Sequence, residues 1–189
     1  MRNEFLTPAE LLTLLKAARK QGARSWAIVL LAYRHAMRAS EIANLILADV
    51  NLRDGTVTVN RLKGSRRTVQ PIEKTKGQPL LDEFKAIKTW LAEREDDSRY
   101  FFTSQKGGRM DRATVWRVIK ACAESAGLPD VHTHTLKHVR ASLLLQGGAS
   151  VTETQNRVGH AALSSTMKYL HTTDAASERA ARKAESNLF

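Results

Sequence analysis

Four short stretches hold the residues with chemistry to offer. Arg38 stands directly before Ala39-Ser40-Glu41-Ile42, where Ser40 reads as a helix N-cap. Amides at a helix start beside a guanidinium make a phosphate site. Alone, the same pattern is a surface arginine before an ordinary helix. Arg61-Leu62-Lys63-Gly64-Ser65-Arg66-Arg67 reads as a basic hairpin tip. It is suited to a DNA backbone or groove, or it is simply a solvated turn. In His132-Thr133-His134-Thr135-Leu136-Lys137-His138-Val139-Arg140, His134 and Lys137 fall on one face of a helix start. A metal reading of these histidines lacks an acidic or cysteine ligand at useful spacing. The last stretch is Val158-Gly159-His160, followed by Tyr169 within Thr166-Met167-Lys168-Tyr169-Leu170-His171. A lone tyrosine on a short helix is usually a packing residue, and only the company of the other clusters would raise it above that.

The elements that must position these groups are also readable. Thr7-Pro8-Ala9-Glu10 is a capping box with proline at the first helical position, followed by Leu11, Leu12, Leu14 and Leu15. A second helix is expected from about Arg24 to His35, and a third from near Ser40. The period then changes. Val57 and Val59 alternate with Thr56, Thr58 and Asn60, after an Asp54-Gly55 turn. With a return strand at Thr68-Val69-Gln70-Pro71-Ile72, a three-stranded antiparallel sheet is expected over roughly residues 50–72. Helices follow over about 79–94, from an Asp111 cap to Gly127, from His134 to Gln146, from a Ser150 capping box to Gly159, and over about 163–170. Tyr100-Phe101-Phe102 reads as a short buried segment. The fold class is α+β, mainly α: a helical domain with a small three-stranded antiparallel sheet.

Composition narrows the partners. The 189 residues carry 30 Lys+Arg against 19 Asp+Glu, a net charge of +11. On a chain with 42% hydrophobic residues, enough for a core, that excess points to a polyanion, nucleic acid first. A merely basic soluble protein is the bland alternative. The single cysteine, Cys122, excludes a disulfide framework and reads as a small core residue. No stretch resembles a signal peptide, and no apolar run approaches the ~20 residues that span a bilayer. A soluble, cytoplasmic protein without membrane partners is expected.

In their order, the clusters resemble the catalytic domain of the tyrosine recombinases, the family of phage integrases, dimer-resolving recombinases and fimbrial invertases. The resemblance runs from about Thr7 to His171. Met37-Arg38-Ala39-Ser40-Glu41-Ile42 is similar to the family's first-arginine motif. Lys63-Gly64-Ser65-Arg66 through Pro71-Ile72 is similar to its β-hairpin, and His134-Thr135-Leu136-Lys137-His138 to its His-x-Leu-Arg-His box. Gln146-Gly147-Gly148-Ala149 resembles the turn after that helix, Val158-Gly159-His160 the Leu-Gly-His motif, and Tyr169 falls where the nucleophile belongs. Each piece is weak alone; together, in order and spacing, they are specific.

The resemblance implies a site-specific recombinase that cuts and rejoins double-stranded DNA through a 3′-phosphotyrosyl link, as a dimer to tetramer on its target, with no cofactor or metal. Arg38, Lys63, His134, Lys137, His160 and Tyr169 are the implied catalytic set, and Arg61, Arg66, Arg67 and Arg140 the implied DNA contacts. One departure stands out: Lys137 occupies the place of an arginine. Lysine keeps the charge but loses the planar fork that grips a phosphate bidentately. A slower natural enzyme, a non-cutting DNA binder, or a substitute guanidinium from Arg140 would each account for it. A DNA-binding accessory relative is therefore the standing alternative, with a type IB topoisomerase and a generic helical transcription factor behind it. Residues 1–173 are expected to form the catalytic domain, without the family's N-terminal clamp domain, and residues 174–189 a helical tail that docks on a neighbouring protomer. A bacterial or phage origin fits the motifs.

Overall fold

In the computed structural model, which describes residues 6–61, 67–104, 107–159 and Thr166, everything is built around one apolar helix. The helices are α1 (Pro8–Gln21), α2 (Ala23–Arg34), α3 (Ala39–Asn44), α4 (Glu83–Glu93), α5 (Arg112–Ser125), α6 (Thr133–Gln146) and α7 (Val151–Val158). In α2 every residue from Ser25 to Tyr33 is buried. A helix apolar all round has no face to give to water, so α1, α4, α5 and α6 pack around it. Trp26 of α2 donates its indole N–H to the Leu80 carbonyl at 2.9 Å, and Trp90 of α4 donates to the Phe101 carbonyl at 2.9 Å. Large aromatic area is thereby buried without stranding a donor.

The expected sheet is present. Strands β1 (Val50–Asn51), β2 (Thr56–Val59) and β3 (Thr68–Pro71) pair antiparallel in the order β1-β2-β3. Alternation puts Val57 and Val59 into the core, while Thr56 and Thr58 stay half-buried. The Asp54-Gly55 turn closes with Gly55 at φ 63° and Asn51 Oδ1 accepting the Asp54 N–H at 2.9 Å.

Capping chemistry explains the helix ends. The Thr7 hydroxyl accepts the Glu10 N–H, and the Glu10 carboxylate accepts the Thr7 N–H. Asp111 accepts the Thr114 N–H, Ser150 forms its capping box with Glu153, and Gly159 ends α7 in the left-handed region at φ 65°. Two boundaries and one cap differ from expectation. The segment over 79–94 divides into a 3-10 turn at Pro79–Leu81 and an α-helix from Glu83, because the Asp82 carboxylate accepts the Lys85 N–H and caps there. Helix α3 starts at Ala39, near Ser40 as expected, but Ser40 is not its N-cap: the Glu41 carboxylate accepts the Arg38 N–H at 2.8 Å and makes Arg38 the cap position. Helix α6 starts at Thr133, with His132 Nδ1 accepting the Thr135 N–H.

Phe101 and Phe102 are fully buried, edge to face at 4.9 Å. Cys122 is buried too, donating its S–H to Gln21 Oε1 at 3.1 Å, and burial pushes its thiol up to about 11. The helix expected over 163–170 and the tail from 174 lie outside the described residues, apart from the buried Thr166. No described helix is long and apolar enough to cross a membrane.

Candidate active site

The turn between α2 and α3 delivers Arg38. Ala36 takes φ 49°, a left-handed conformation that a residue with a Cβ adopts at a cost of ~1–2 kcal/mol. Beyond it, Arg38 sits at the start of α3 with its guanidinium part-exposed and Nη1 donating to Glu41 Oε1 at 2.7 Å. Glu41 is buried between two guanidinium groups, its other oxygen accepting from Arg61 Nη1 at 3.1 Å. Burial alone would raise the Glu41 carboxyl. The Arg38 N–H and the charges of Arg61 and Arg38 outweigh it and hold the group below the usual carboxylate range. Glu41 is thus an anionic anchor that orients Arg38.

The N-terminal turn of α6 comes alongside. A cavity of about 590 Å³ is lined by Arg38, Ser40, Arg112, Trp116, His132 and His134 among others. His134 is exposed there, its ring edge-to-face with His132 at 6.1 Å. Its pKa is lowered, first by partial burial, then by the positive surroundings of His132, Arg38, Lys137 and Arg112. An imidazole held neutral among cations can accept a proton.

Lys137 lies one turn further along α6 and is buried, 5% exposed. Its Nζ donates to the Val158 carbonyl at 2.7 Å. Burial, with Arg38 and Arg61 nearby, pushes the ammonium down to about 7, against a smaller opposing pull from Glu41. Arg38, almost a hundred residues away in sequence, is therefore a neighbour of His134 and Lys137 in one electropositive site.

Arg61 was expected to touch DNA and does not face solvent. Its side chain is wholly buried, and its guanidinium serves Glu41 and the carbonyls of His35, Ala36 and Arg157. A buried cation belongs where oxygens surround it, so Arg61 is corrected from a DNA contact to an internal tie. Arg67 is exposed at the base of β3. Arg140 is half-buried, lying 5.7 Å over the Tyr33 ring and beside Arg157. It is not among the cavity's lining residues. Lys63, Arg66, His160 and Tyr169 lie outside the described residues.

Sequence reasoning missed Arg112, Trp116 and His132. Arg112 and Trp116 stand four residues apart, on one face of α5, and Trp116 is 45% exposed. The signal was present: a tryptophan on the polar side of an amphipathic helix, one turn from an arginine. Among the described residues no group of three His, Cys, Asp or Glu side chains converges to hold a metal ion.

Comparison with known proteins decides the family. Residues 4–176 match the model of the phage integrase family. The chain belongs to that family. It is 31% identical over 176 residues to the type 1 fimbriae regulatory protein FimE of Escherichia coli strain K12, covering 89% of this chain and 85% of that one. It is 36% identical over 171 residues to the tyrosine recombinase XerA of Pyrococcus furiosus, covering 89% of this chain and 57% of XerA. Among solved structures, the XerA recombinase superposes with TM-score 0.78 at 27% identity, over 95% of this chain and 64% of that one. A lambda integrase dimer bound to a COC′ core site gives TM-score 0.67 at 18% identity, covering 87% of this chain and 47% of that one, a likeness of fold. The chain thus spans about half to two thirds of those crystallised integrase-family chains. The mainly helical fold with its three-stranded sheet is the family's catalytic fold, as the motifs implied.

Proposed function

We propose that the chain is a site-specific DNA recombinase that cuts and rejoins DNA through a 3′-phosphotyrosyl intermediate on Tyr169. The observation that carries the reading is the convergence of Arg38 and His134 on one cavity, with the buried Lys137 within electrostatic reach of both, in a phage-integrase-family fold. A phosphodiester under attack gathers charge on its non-bridging oxygens, and preorganised cations are the main requirement for stabilising it. Arg38 fits that need: Glu41 fixes it, and its outer face stays open. His134, shifted toward its neutral form, suits proton transfer at the attacking phenol or a hydrogen bond to phosphate. His160 and Tyr169 complete the set from the chain beyond α7, and Lys63 is the acid for the leaving 5′-oxygen. In the attack, the Tyr169 oxygen bonds phosphorus, the P–O5′ bond breaks, and a proton passes to the 5′-oxygen. Bond energy is conserved in the ester for rejoining.

Double-stranded DNA is the partner, reached by the exposed Arg67 and the cavity residues Arg112 and Trp116. The net charge of +11 supports the same partner. Assembly as a dimer to tetramer on DNA is part of the reading, as is division into a catalytic domain over 1–173 and a docking tail over 174–189. Solved relatives support assembly: one is a lambda integrase tetramer bound to a Holliday junction.

The accessory DNA-binding reading has one observation in its favour. Lys137 Nζ is engaged by a backbone carbonyl, and a lysine has no fork with which to grip a phosphate as well. Negatively supercoiled and nicked plasmid, quenched with detergent, separates the two. A protein–DNA adduct in wild type that is absent in Tyr169→Phe supports the recombinase. DNA retention with no adduct in wild type or Lys137→Arg supports the accessory reading.

A further inference from the structure

Three side chains from outside α7 grip the carbonyls at its end. Arg61 Nη2 and Gln70 Nε2 both donate to the Arg157 carbonyl, at 3.1 and 3.0 Å, and Lys137 Nζ donates to that of Val158 at 2.7 Å. The last carbonyls of a helix have no partner within it, and cations are favoured there. Arg61 reaches further still. Its Nη2 also donates to the His35 carbonyl at 2.8 Å, and its Nη1 to the Ala36 carbonyl at 3.0 Å and to Glu41 at 3.1 Å. Four of its five N–H donors are thus committed. The fifth, Nε, is buried against Gly159 without an acceptor among the described residues. A Cβ on Gly159 would stand 2.5 Å from that nitrogen. Gly159 is needed twice over: for φ 65° and to leave room for Arg61.

We propose that Arg61, seconded by Gln70, is a positioning residue that locks the parts of the reacting centre into one unit. The inference rests on the recombinase reading above. At one end Arg61 holds the strained Ala36 turn that delivers Arg38, and it shares Glu41 with Arg38. At the other it holds the Arg157 carbonyl in the last turn of α7, two residues before Gly159 and three before His160. By its own place in the chain it is two residues from Lys63. Gln70, on the returning strand, adds a second tie from the hairpin to the same Arg157 carbonyl, while its Oε1 lies 3.0 Å from His35 Nδ1. Only a planar fork with donors on two sides reaches all four acceptors, so lysine cannot replace it.

The test uses the full chain and Arg61→Lys, Gly159→Ala and the double variant. Adduct formation is followed in a single turnover on negatively supercoiled plasmid. Amide hydrogen exchange is followed over residues 34–42 and 151–159. Arg61→Lys is expected to melt cooperatively and to retain plasmid within about twofold of wild type. Misplacement of about an ångström slows reactions ~10²-fold, and the adduct rate is expected to fall by that order. Exchange should rise in both segments together. Lysine vacates the space beside Gly159, so Gly159→Ala should cost less in the Arg61→Lys background than in wild type. A folded Arg61→Lys that reacts at the wild-type rate, or effects of the two changes that simply multiply, would overturn the proposal. If wild type yields no adduct, the recombinase reading fails, and exchange alone decides the tie: a joint rise supports it, and a rise in one segment only overturns it. Should Arg61→Lys fail to fold, Gln70→Leu is put to the adduct-rate and exchange readouts, where an unchanged rate in a folded variant or a rise in one segment only overturns the proposal.

Discussion

Lys137 makes the stability of the fold depend on pH in a way that can be calculated. Its ammonium titrates near 10.5 in an unfolded chain and at about 7 in the fold, chiefly because burial strips its water. The lowered value means the folded state gives up this proton more readily. Below pH 7 both states are protonated, and stability does not change on this account. Between about 7 and 10.5 the unfolded chain binds more protons, so stability rises with pH. Cys122 works against this from about pH 8 upward, where the unfolded thiol begins to ionise and the buried one, at about 11, does not, but by pH 9 it offsets less than about 1 kcal/mol. The window from pH 7 to 9 therefore reports Lys137. At about 1.4 kcal/mol per unit, two pH units give roughly 2–3 kcal/mol. Urea unfolding at pH 7, 8 and 9 should show that gain in wild type. Lys137→Met loses the hydrogen bond to Val158 at every pH, which lowers its whole curve, but its slope over this window should be nearly flat. Parallel slopes for the two proteins would refute the reasoning, since no pH-dependent term could then be assigned to the buried ammonium.

Other consequences follow from the same geometry. Cys122, buried and with its thiol raised to about 11, should react with a disulfide reagent at least ~10²-fold more slowly in the native protein than in urea; similar rates would contradict its burial. Trp116→Ala removes a 45%-exposed side chain and should change stability by no more than about 0.5 kcal/mol, yet weaken retention of double-stranded DNA several-fold in a filter-binding titration. Arg112→Ala should weaken retention as well and lower the salt slope by about one ion. Unchanged binding in both variants would remove that side of the cavity from the DNA interface.

The fold was legible wherever local chemistry decides the outcome. The switch from helical spacing to the Thr56–Val59 alternation marked the sheet, and Thr7, Asp111, Ser150 and Gly159 marked helix ends that the structure keeps. Where two caps competed, local reasoning chose wrongly. Ser40 looks like an N-cap, but the carboxylate of Glu41, at the third helical position counted from Ala39, reaches back to the Arg38 N–H instead. The Asp82 cap was hidden in the same way behind Pro79. The candidate site was legible as residue types in order and not as roles. Arg61 stands in a run of basic residues and reads as solvent-facing, yet its acceptors come from α7, from the turn before α3 and from Glu41. Contacts that distant leave no local pattern. For the same reason the burial of Lys137 was invisible: it depends on α7 folding back over α6 to present the Val158 carbonyl. Lys63, Arg66, His160 and Tyr169, read from the motifs, lie outside the described residues.

The central claim is that a tyrosine of this chain takes the DNA strand covalently. The most direct measurement digests the detergent-trapped protein–DNA adduct with nuclease and protease and locates the nucleotide-bearing residue by mass spectrometry. The account predicts a peptide carrying a 3′-linked nucleotide phosphate on Tyr169, and none from Tyr169→Phe. A nucleotide attached to another residue, or an adduct that persists in Tyr169→Phe, would contradict it.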